Sequence, residues 1–272
     1  MTRFFDKLGP SALRIVDTHD VFSQKGSNIA AYGIADGGLS ATDEATRLNR
    51  ADVVIAIHPE DAGTLKALVP HREVLVSGVD ATVIENAEWP NRPTLLLAAS
   101  GNLLNVTGLR DFLRFCWPDV LAQVPEAQLR IAGGVGRAAP PGEPGVAVLG
   151  FVPDLTAEYR AARVVINPAV AGTGLKIKTV EALAHLRPVV GWPHNRDGLP
   201  DELKAFVYEA ANWRDFAQEL ARRLQETVSP FDSAAIATIT HQLSADVVYR
   251  ELDERLARFF DPTDHAAAGQ DS

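Results

Sequence analysis

The sequence predicts an α/β protein built on parallel sheets, and three observations carry that prediction. Short β-rich runs alternate with helix-period stretches along most of the 272 residues, which is the order of parallel strands and their crossover helices. Several strand runs, such as "ADVVIAI" at 51–57, are nearly continuous in apolar residues, as suits a sheet covered on both faces. A strand, a glycine-rich loop and a helix also follow one another in "RVVINPAVAGTGLKIKTVEALAHL", and open parallel sheets bind ligands beyond the carboxyl ends of their strands.

Taken in order, "RIVDT" (14–18), "ADVVIAI" (51–57), "EVLVS" (73–77), "TLLLAAS" (94–100), "QLRIAG" (128–133), "GVAVLG" (145–150), "RVVINP" (163–168) and "RPVVG" (187–191) read as strands. Helix patterns lie between them in "SATDEATRLNR", "PEDAGTLKAL", "NVTGLRDFLRFCWPDVLAQV", "VPDLTAEYRAA", "LKIKTVEALAHL" and "NWRDFAQELARRLQETV". The stretch "SGVDATVIENAEWPNRP" lacks periodicity and contains two prolines, so it marks a boundary. Five strands after it form a Rossmann-like parallel sheet. The three before it form a partial second Rossmann-like domain. The expected organisation is an amino-terminal segment over 1–80, a linker over 81–93, a nucleotide-binding domain over 94–230, carboxyl-terminal helices over 231–261 and a frayed tail over 262–272.

Composition narrows the function classes. Apolar residues make up 46% and charged residues 22% of the chain, values of an ordinary globular protein. The single cysteine, Cys116, cannot form a disulfide within the chain, and no segment reads as a leader or reaches the ~18 apolar residues of a membrane span. The expected location is cytoplasmic, with peripheral association at the inner membrane face as a further expectation. A formal net charge of -9 argues against nucleic acid or an anionic membrane as a nonspecific partner. Any phosphate site is then a local basic island.

"NPAVAGTGLKIKTVEALAHLRPVV", 167–190, is the best such island. Gly172 and Gly174 allow backbone to approach a ligand closely. The following helix start offers unpaired N–H groups and a partial positive charge. Lys176 and Lys178 add full charges there, and Glu181, a turn later, is placed to accept from ribose hydroxyls. On physical grounds alone, a solvated helix start with ordinary surface charges explains the same residues equally well. "GGVGRAA" at 133–139 is no dinucleotide fingerprint, because "PPGEPG" follows and stops a helix; it reads as a flexible cleft loop. "GTGLKIKT" lacks the Gly-Lys-Ser/Thr step of a P-loop. His58, His71, His185, His194, His241 and His265 have no metal-ligand spacing and read as surface or helix-end residues.

"GTGLKIKTVEALAHLRPVV" resembles the signature of retaining glycosyltransferases of the GT-B fold, in the "glycosyl transferases group 1" superfamily. One branch reads G-x-G-x-K/R-x-K-x-x-E-A-x-A-x-x-x-P-V-V, which this stretch matches throughout. "AASGNLLNVTGLRDFL", "LRIAGG", "VAVLGFVPDLTAEYRAARVVINP" and, upstream, "VDTHDVFS", "LNRADVVIAIHPEDAGTL" and "SGVD" are similar to further family segments in the family's order. The resemblance covers residues 14–200. It implies a nucleoside-diphosphate-sugar donor held by Lys176, Lys178, Gly101, Gly172 and Gly174 at the diphosphate and by Glu181 at the ribose. Asn105 and Thr173 would border the donor. Thr173 replaces a glutamate that touches the sugar in other branches, Leu186-Arg187 replace a usual glycine turn, and Ser77 replaces an asparagine.

The resemblance also implies retention at the anomeric carbon. No cofactor is expected beyond the donor substrate, and no metal, since an Asp-x-Asp pair is lacking. His19, at the end of an early strand, would face the donor as a catalytic residue; without the resemblance it reads better as a loop histidine bonded to nearby backbone. A whole GT-B enzyme has two domains of ~150 residues each, whereas only residues 1–93 precede the donor segment here. The early strands that help form an acceptor site are therefore expected to be missing, with a partner chain or self-association completing that domain. The acceptor is open: glycan, lipid or another envelope component. The alternative is a non-catalytic nucleotide-binding or assembly subunit, and a sugar-nucleotide epimerase of similar fold is a third reading.

Overall fold

A computed structural model describes residues 2–9, 11–24, 39–84, 88–172 and 174–261. Thr173 and the tail 262–272 lie outside the described residues. In chain order the elements are β1 Ile15–Asp17, α1 Ala41–Leu48, β2 Val53–Ala56, α2 Pro59–Leu68, β3 Glu73–Val76, β4 Thr94–Ala98, α3 Leu103–Phe115, α4 Trp117–Gln123, β5 Gln128–Ala132, β6 Val146–Gly150, α5 Thr156–Ala161, β7 Val164–Asn167, α6 Ile177–Ala184, β8 Val189–Gly191, α7 Asp201–Lys204, β9 Val207–Glu209, α8 Trp213–Gln225, α9 Ser233–Gln242, α10 Ala245–Val248 and α11 Arg250–Phe260. Short 3-10 turns cover Thr2–Lys7, Gly134–Ala138 and Pro193–Arg196. The chain forms two units, residues 1–80 with 245–272, and residues 81–244.

The first unit is a parallel sheet of order β1-β2-β3. Val53, Val54 and Ala56 of the central strand are fully buried, which is why that strand reads as apolar on both faces. α2 begins at Pro59, where a missing N–H costs nothing, with His58 as its N-cap. His58 is itself buried, its Nδ1 2.8 Å from Glu60 and its Nε2 3.1 Å from Asp61. Burial lowers its pKa, but these two carboxylates together outweigh that and raise it. The carboxyl-terminal helices do not stay together. α9 belongs to the second unit, where the Ala81 N–H donates to the Leu243 carbonyl at 3.0 Å. α10 and α11 return to the first, where Glu251 accepts from the Val76 N–H at 2.7 Å and Arg255 pairs with Glu73 at 2.6 Å.

The second unit is a six-stranded, wholly parallel sheet of order β6-β5-β4-β7-β8-β9. Renumbered within the unit this is 3-2-1-4-5-6, the Rossmann order. Leu95, Leu97, Leu129 and Ile131 face one buried cluster with α3, α4 and α8. Leu96, Val165 and Val189 face another with Tyr159, Val180 and Leu203. Both faces are thus covered, as the continuous apolar strands require.

Within the second unit the fold also differs from the sequence reading. A sixth strand, β9, extends the five expected. The long helix expected over 105–124 breaks at Cys116, because a Pro118 inside it would clash with the preceding turn. The stretch 81–93 is no free linker. The guanidinium of Arg163 donates to the carbonyls of Pro90 and Asn91, and that of Arg187 to the carbonyl of Glu88, each at 2.8 Å. "GGVGRAA" forms a 3-10 turn instead of a flexible loop. Gly133 there has φ +92°, and a Cβ on it would fall 2.2 Å from the Ala99 carbonyl oxygen, so the turn after β5 packs directly on the loop after β4.

Candidate functional site

In an open parallel sheet the strand order reverses between two neighbours whose crossovers leave on opposite faces, and a crevice opens at their carboxyl ends. Here those neighbours are β4 and β7. A cleft of about 410 Å3 lies there, lined by the loop after β4, the loop after β7, the start of α6 and the turn after β8. Its width depends on Gly108 in α3. A Cβ on that residue would fall 2.6 Å from the Pro168 carbonyl oxygen and 2.8 Å from Ala169, so only glycine lets α3 lie this close to the β7 loop.

Lys178 lies at the centre of the wall. Its ammonium donates to Asn105 Oδ1 and Asn167 Oδ1, each at 3.1 Å. Both amides are oriented from behind. Asn105 Nδ2 donates to the Ser100 carbonyl at 3.1 Å, and its own N–H is capped by Asn102 at 2.9 Å. Asn167 Nδ2 donates to Asn195 Oδ1, and Asn195 Nδ2 donates to the Trp192 carbonyl at 3.1 Å. Asn167 and Asn195 are buried at 1% and 0% exposure, so these amides are part of the core and their orientation is fixed. Burial, with the nearby Lys176 charge, pulls the Lys178 pKa down to about 8 against the opposing pull of Glu181. The net lowering means that Glu181 does not make up for the hydration this half-buried cation has lost, and an anion in the cleft would.

Lys176 precedes α6, and its ammonium folds back to the Gly174 carbonyl at 2.5 Å. Gly174 has φ +70°, a left-handed conformation that suits glycine. No side chain caps the start of α6, which leaves its first N–H groups to be satisfied by water or a ligand. One turn on, the Glu181 carboxylate accepts from the Tyr159 hydroxyl at 2.9 Å, and its carbonyl meets His185 Nδ1 at 2.8 Å. The Tyr159 and His185 rings stack at 4.5 Å. Burial first, then the Glu181 charge, raises the Tyr159 pKa, so the phenol stays a donor. The turn after α6 departs from glycine at a cost: Leu186 has φ +54°. Its neighbour Arg187, also buried, donates to the carbonyls of Tyr159 at 2.9 Å and Leu186 at 3.0 Å, holding that turn against α5.

The cleft therefore brings together Lys176, Lys178, Glu181, Asn105 and Gly172 of the expected residues. Gly101 and Gly174 stand beside it in the loops that line it, and a Cβ on Gly101 would fall 3.2 Å from the Gly134 carbonyl oxygen. Thr173 lies outside the described residues. His19 is in the first unit, exposed, at φ +52° with Nε2 3.3 Å from the Asp17 carboxylate. His194, read from sequence with the surface histidines, is a correction: it lines the cleft. Asn167 and Asn195 were not singled out from sequence at all; the only local signal was an asparagine ending an apolar strand. Among the described residues no group of three or more His, Cys, Asp or Glu could hold a metal, and no helix is long and apolar enough to cross a membrane.

Residues 93–226 match the family model described as glycosyl transferases group 1. No curated protein matches the chain in sequence. Among solved structures, a point mutant of S. aureus TarM in complex with fondaparinux, alpha-GlcNAc-glycerol and UDP is similar with a TM-score of 0.69 at 15% identity, over 91% of this chain and 50% of that one. The pneumococcal O-GlcNAc transferase GtfA in complex with UDP and GlcNAc gives 0.61 at 12% identity, over 91% and 52%. HepE from Anabaena in complex with UDP and glucose gives 0.63 at 15% identity, over 89% and 71%. The chain thus spans about half the length of TarM and GtfA. On the family match, and with the Rossmann order of the sheet and the strand-loop-helix signature in agreement, residues 93–226, which contain every side chain of the cleft, belong to the glycosyl transferases group 1 family of GT-B glycosyltransferases.

Proposed function

We propose that this chain binds a nucleoside-diphosphate sugar in the cleft of its second unit and transfers the sugar, with retention and without metal, to a glycan, lipid or other envelope acceptor. The observation that carries the reading is Lys178: a half-buried ammonium held by two neutral amides, with Lys176 before it and Glu181 one turn after. In this reading the lysines and the α6 N-terminus bind the diphosphate, and Glu181 accepts from the ribose hydroxyls. As the glycosidic bond breaks, the leaving diphosphate gains negative charge, and preorganised cations stabilise it more than the ground state. His19 is proposed as the residue that the first unit contributes to the reacting sugar. UDP in TarM, GtfA and HepE makes uracil the first nucleobase to try.

Calorimetry with UDP, GDP and ADP, followed by UDP-glucose and UDP-GlcNAc transfer to an envelope extract, tests the proposal. Binding of one nucleotide, weakened in Glu181→Gln only for ligands with an intact ribose, and transfer that survives a chelator are expected. A folded protein that binds none of the three at millimolar concentration would end it. Nucleotide binding with no transfer to any acceptor, alone or with a partner chain, would instead favour a nucleotide-binding subunit.

A further inference from the structure

We infer that His194 is a third cationic contact of this site, protonated when the donor binds and donating from Nε2 to its diphosphate; this rests on the nucleotide-binding reading above. His194 sits in the 3-10 turn Pro193–Arg196 and lines the same cleft as Lys176 and Lys178. The turn is fixed by the cradle that holds Lys178. Its Asn195 is fully buried and accepts from Asn167, the amide on which Lys178 rests, and Trp192 Nε1 donates to the Pro168 carbonyl at 3.0 Å. Imidazole and ammonium are therefore held in one rigid frame.

The Ala169 backbone favours protonation of the ring. Its Nε2 is buried and has no hydrogen-bond partner. A buried polar nitrogen without a partner calls for an explanation in function or in an unseen ligand. The charged groups around the ring identify the ligand. Lys176 and Lys178 oppose its protonation and Asp197, on its own turn, favours it, while burial is the largest influence and lowers its pKa. A sugar hydroxyl would leave the repulsion from the lysines in place. A diphosphate lying against both lysines cancels that repulsion and makes the imidazolium the favoured form, with Nε2–H as the donor. Proton uptake on binding follows, so the contribution of His194 to affinity is present at pH below its bound-state pKa and is lost as pH rises through it.

The test is calorimetric titration of UDP (GDP or ADP if one of them binds more tightly) at about pH 6, 7 and 8, in pairs of buffers that differ in ionisation enthalpy. Parent, His194→Gln, His194→Asn and Lys178→Ala are compared, each checked for its melting temperature. Differences between parent and variant cancel the nucleotide's own titration. At about pH 6 His194→Gln is expected to bind about tenfold more weakly than the parent, the scale of one charge-assisted hydrogen bond. By pH 8 the gap should narrow to about twofold, and proton uptake should fall. His194→Asn replaces the glutamine variant if that one does not fold. A folded variant with the parent's affinity, pH slope and proton uptake overturns the inference if Lys178→Ala still weakens binding. If Lys178→Ala also binds like the parent, or if no nucleotide binds, the reading of the site itself fails and the inference with it.

Discussion

Lys178 illustrates how one residue links burial to function. Its pKa falls to about 8 because the folded chain strips water from it and puts Lys176 nearby. The sign follows from proton counting. Between about pH 8 and its ordinary value of 10.5 the unfolded chain binds more protons than the folded one, so this group makes the ligand-free fold more stable as pH rises through that window. A diphosphate reverses the preference by favouring the ammonium. Nucleotide affinity should therefore weaken as pH rises past about 8, while Lys178→Ala should bind about 1.5–3 kcal/mol more weakly below that pH and lose the dependence above it. Calorimetry from pH 7 to 10 checks both. An unchanged pH slope in the variant would place the titrating group elsewhere.

At the scale of elements, the site depends on how closely helices and loops approach one another. Gly108 touches no ligand position, yet its missing Cβ lets α3 pack on Pro168 and Ala169. In Gly108→Ala the added carbon would sit 2.6 Å from a carbonyl oxygen of the backbone, which cannot swing aside. The helix must move, taking Asn105 away from Lys178. Overpacking of this kind costs ~1–3 kcal/mol, so the variant should melt at a lower temperature and also bind nucleotide more weakly. A melting shift with parental affinity would show that the cleft tolerates the displacement. The same scale separates what was legible in the sequence from what was not. "GTGLKIKTVEAL" could be read because glycines, lysines and glutamate are neighbours along one loop and one helix. The strands of the second sheet could be read because both faces are covered and their apolar runs are continuous. β9 has three residues, too few for any period to show. Asn167, Asn195 and His194 were missed because their roles exist only after β7 and β8 pair and bring the turn at 193–196 over the β7 loop. Arg163 and Arg187 gave no sign of their role, whereas both donate to backbone carbonyls of the segment that reads as a linker.

For the whole molecule, the chain's path makes the first unit depend on its last helices. The first unit has a single cluster of ten buried apolar residues among the described ones, against two larger clusters in the second. A small core of this kind leaves a unit marginal, so losses of one or two kcal/mol matter. No residue of α11 is buried. Its attachment to the first unit is polar: the Val76 N–H to Glu251, Arg255 to Glu73, and the Tyr249 hydroxyl to Asp80 just before the helix at 2.5 Å. Partly exposed pairs of this kind contribute ~0.2–1 kcal/mol each, about 1–3 kcal/mol for the group. The second unit loses none of these contacts if the chain stops at Ser244, since α9 and its bond to Ala81 remain. A chain ending at Ser244 should therefore keep parental nucleotide affinity while amides of β2 and β3 exchange with solvent about tenfold faster, following the lost free energy. Hydrogen exchange read by mass spectrometry, with UDP titrated into the same sample, measures both. Loss of nucleotide binding together with protection of β4 to β8 would mean that the second unit draws stability from the carboxyl-terminal helices after all, and that the division at Ser244 is not an energetic one.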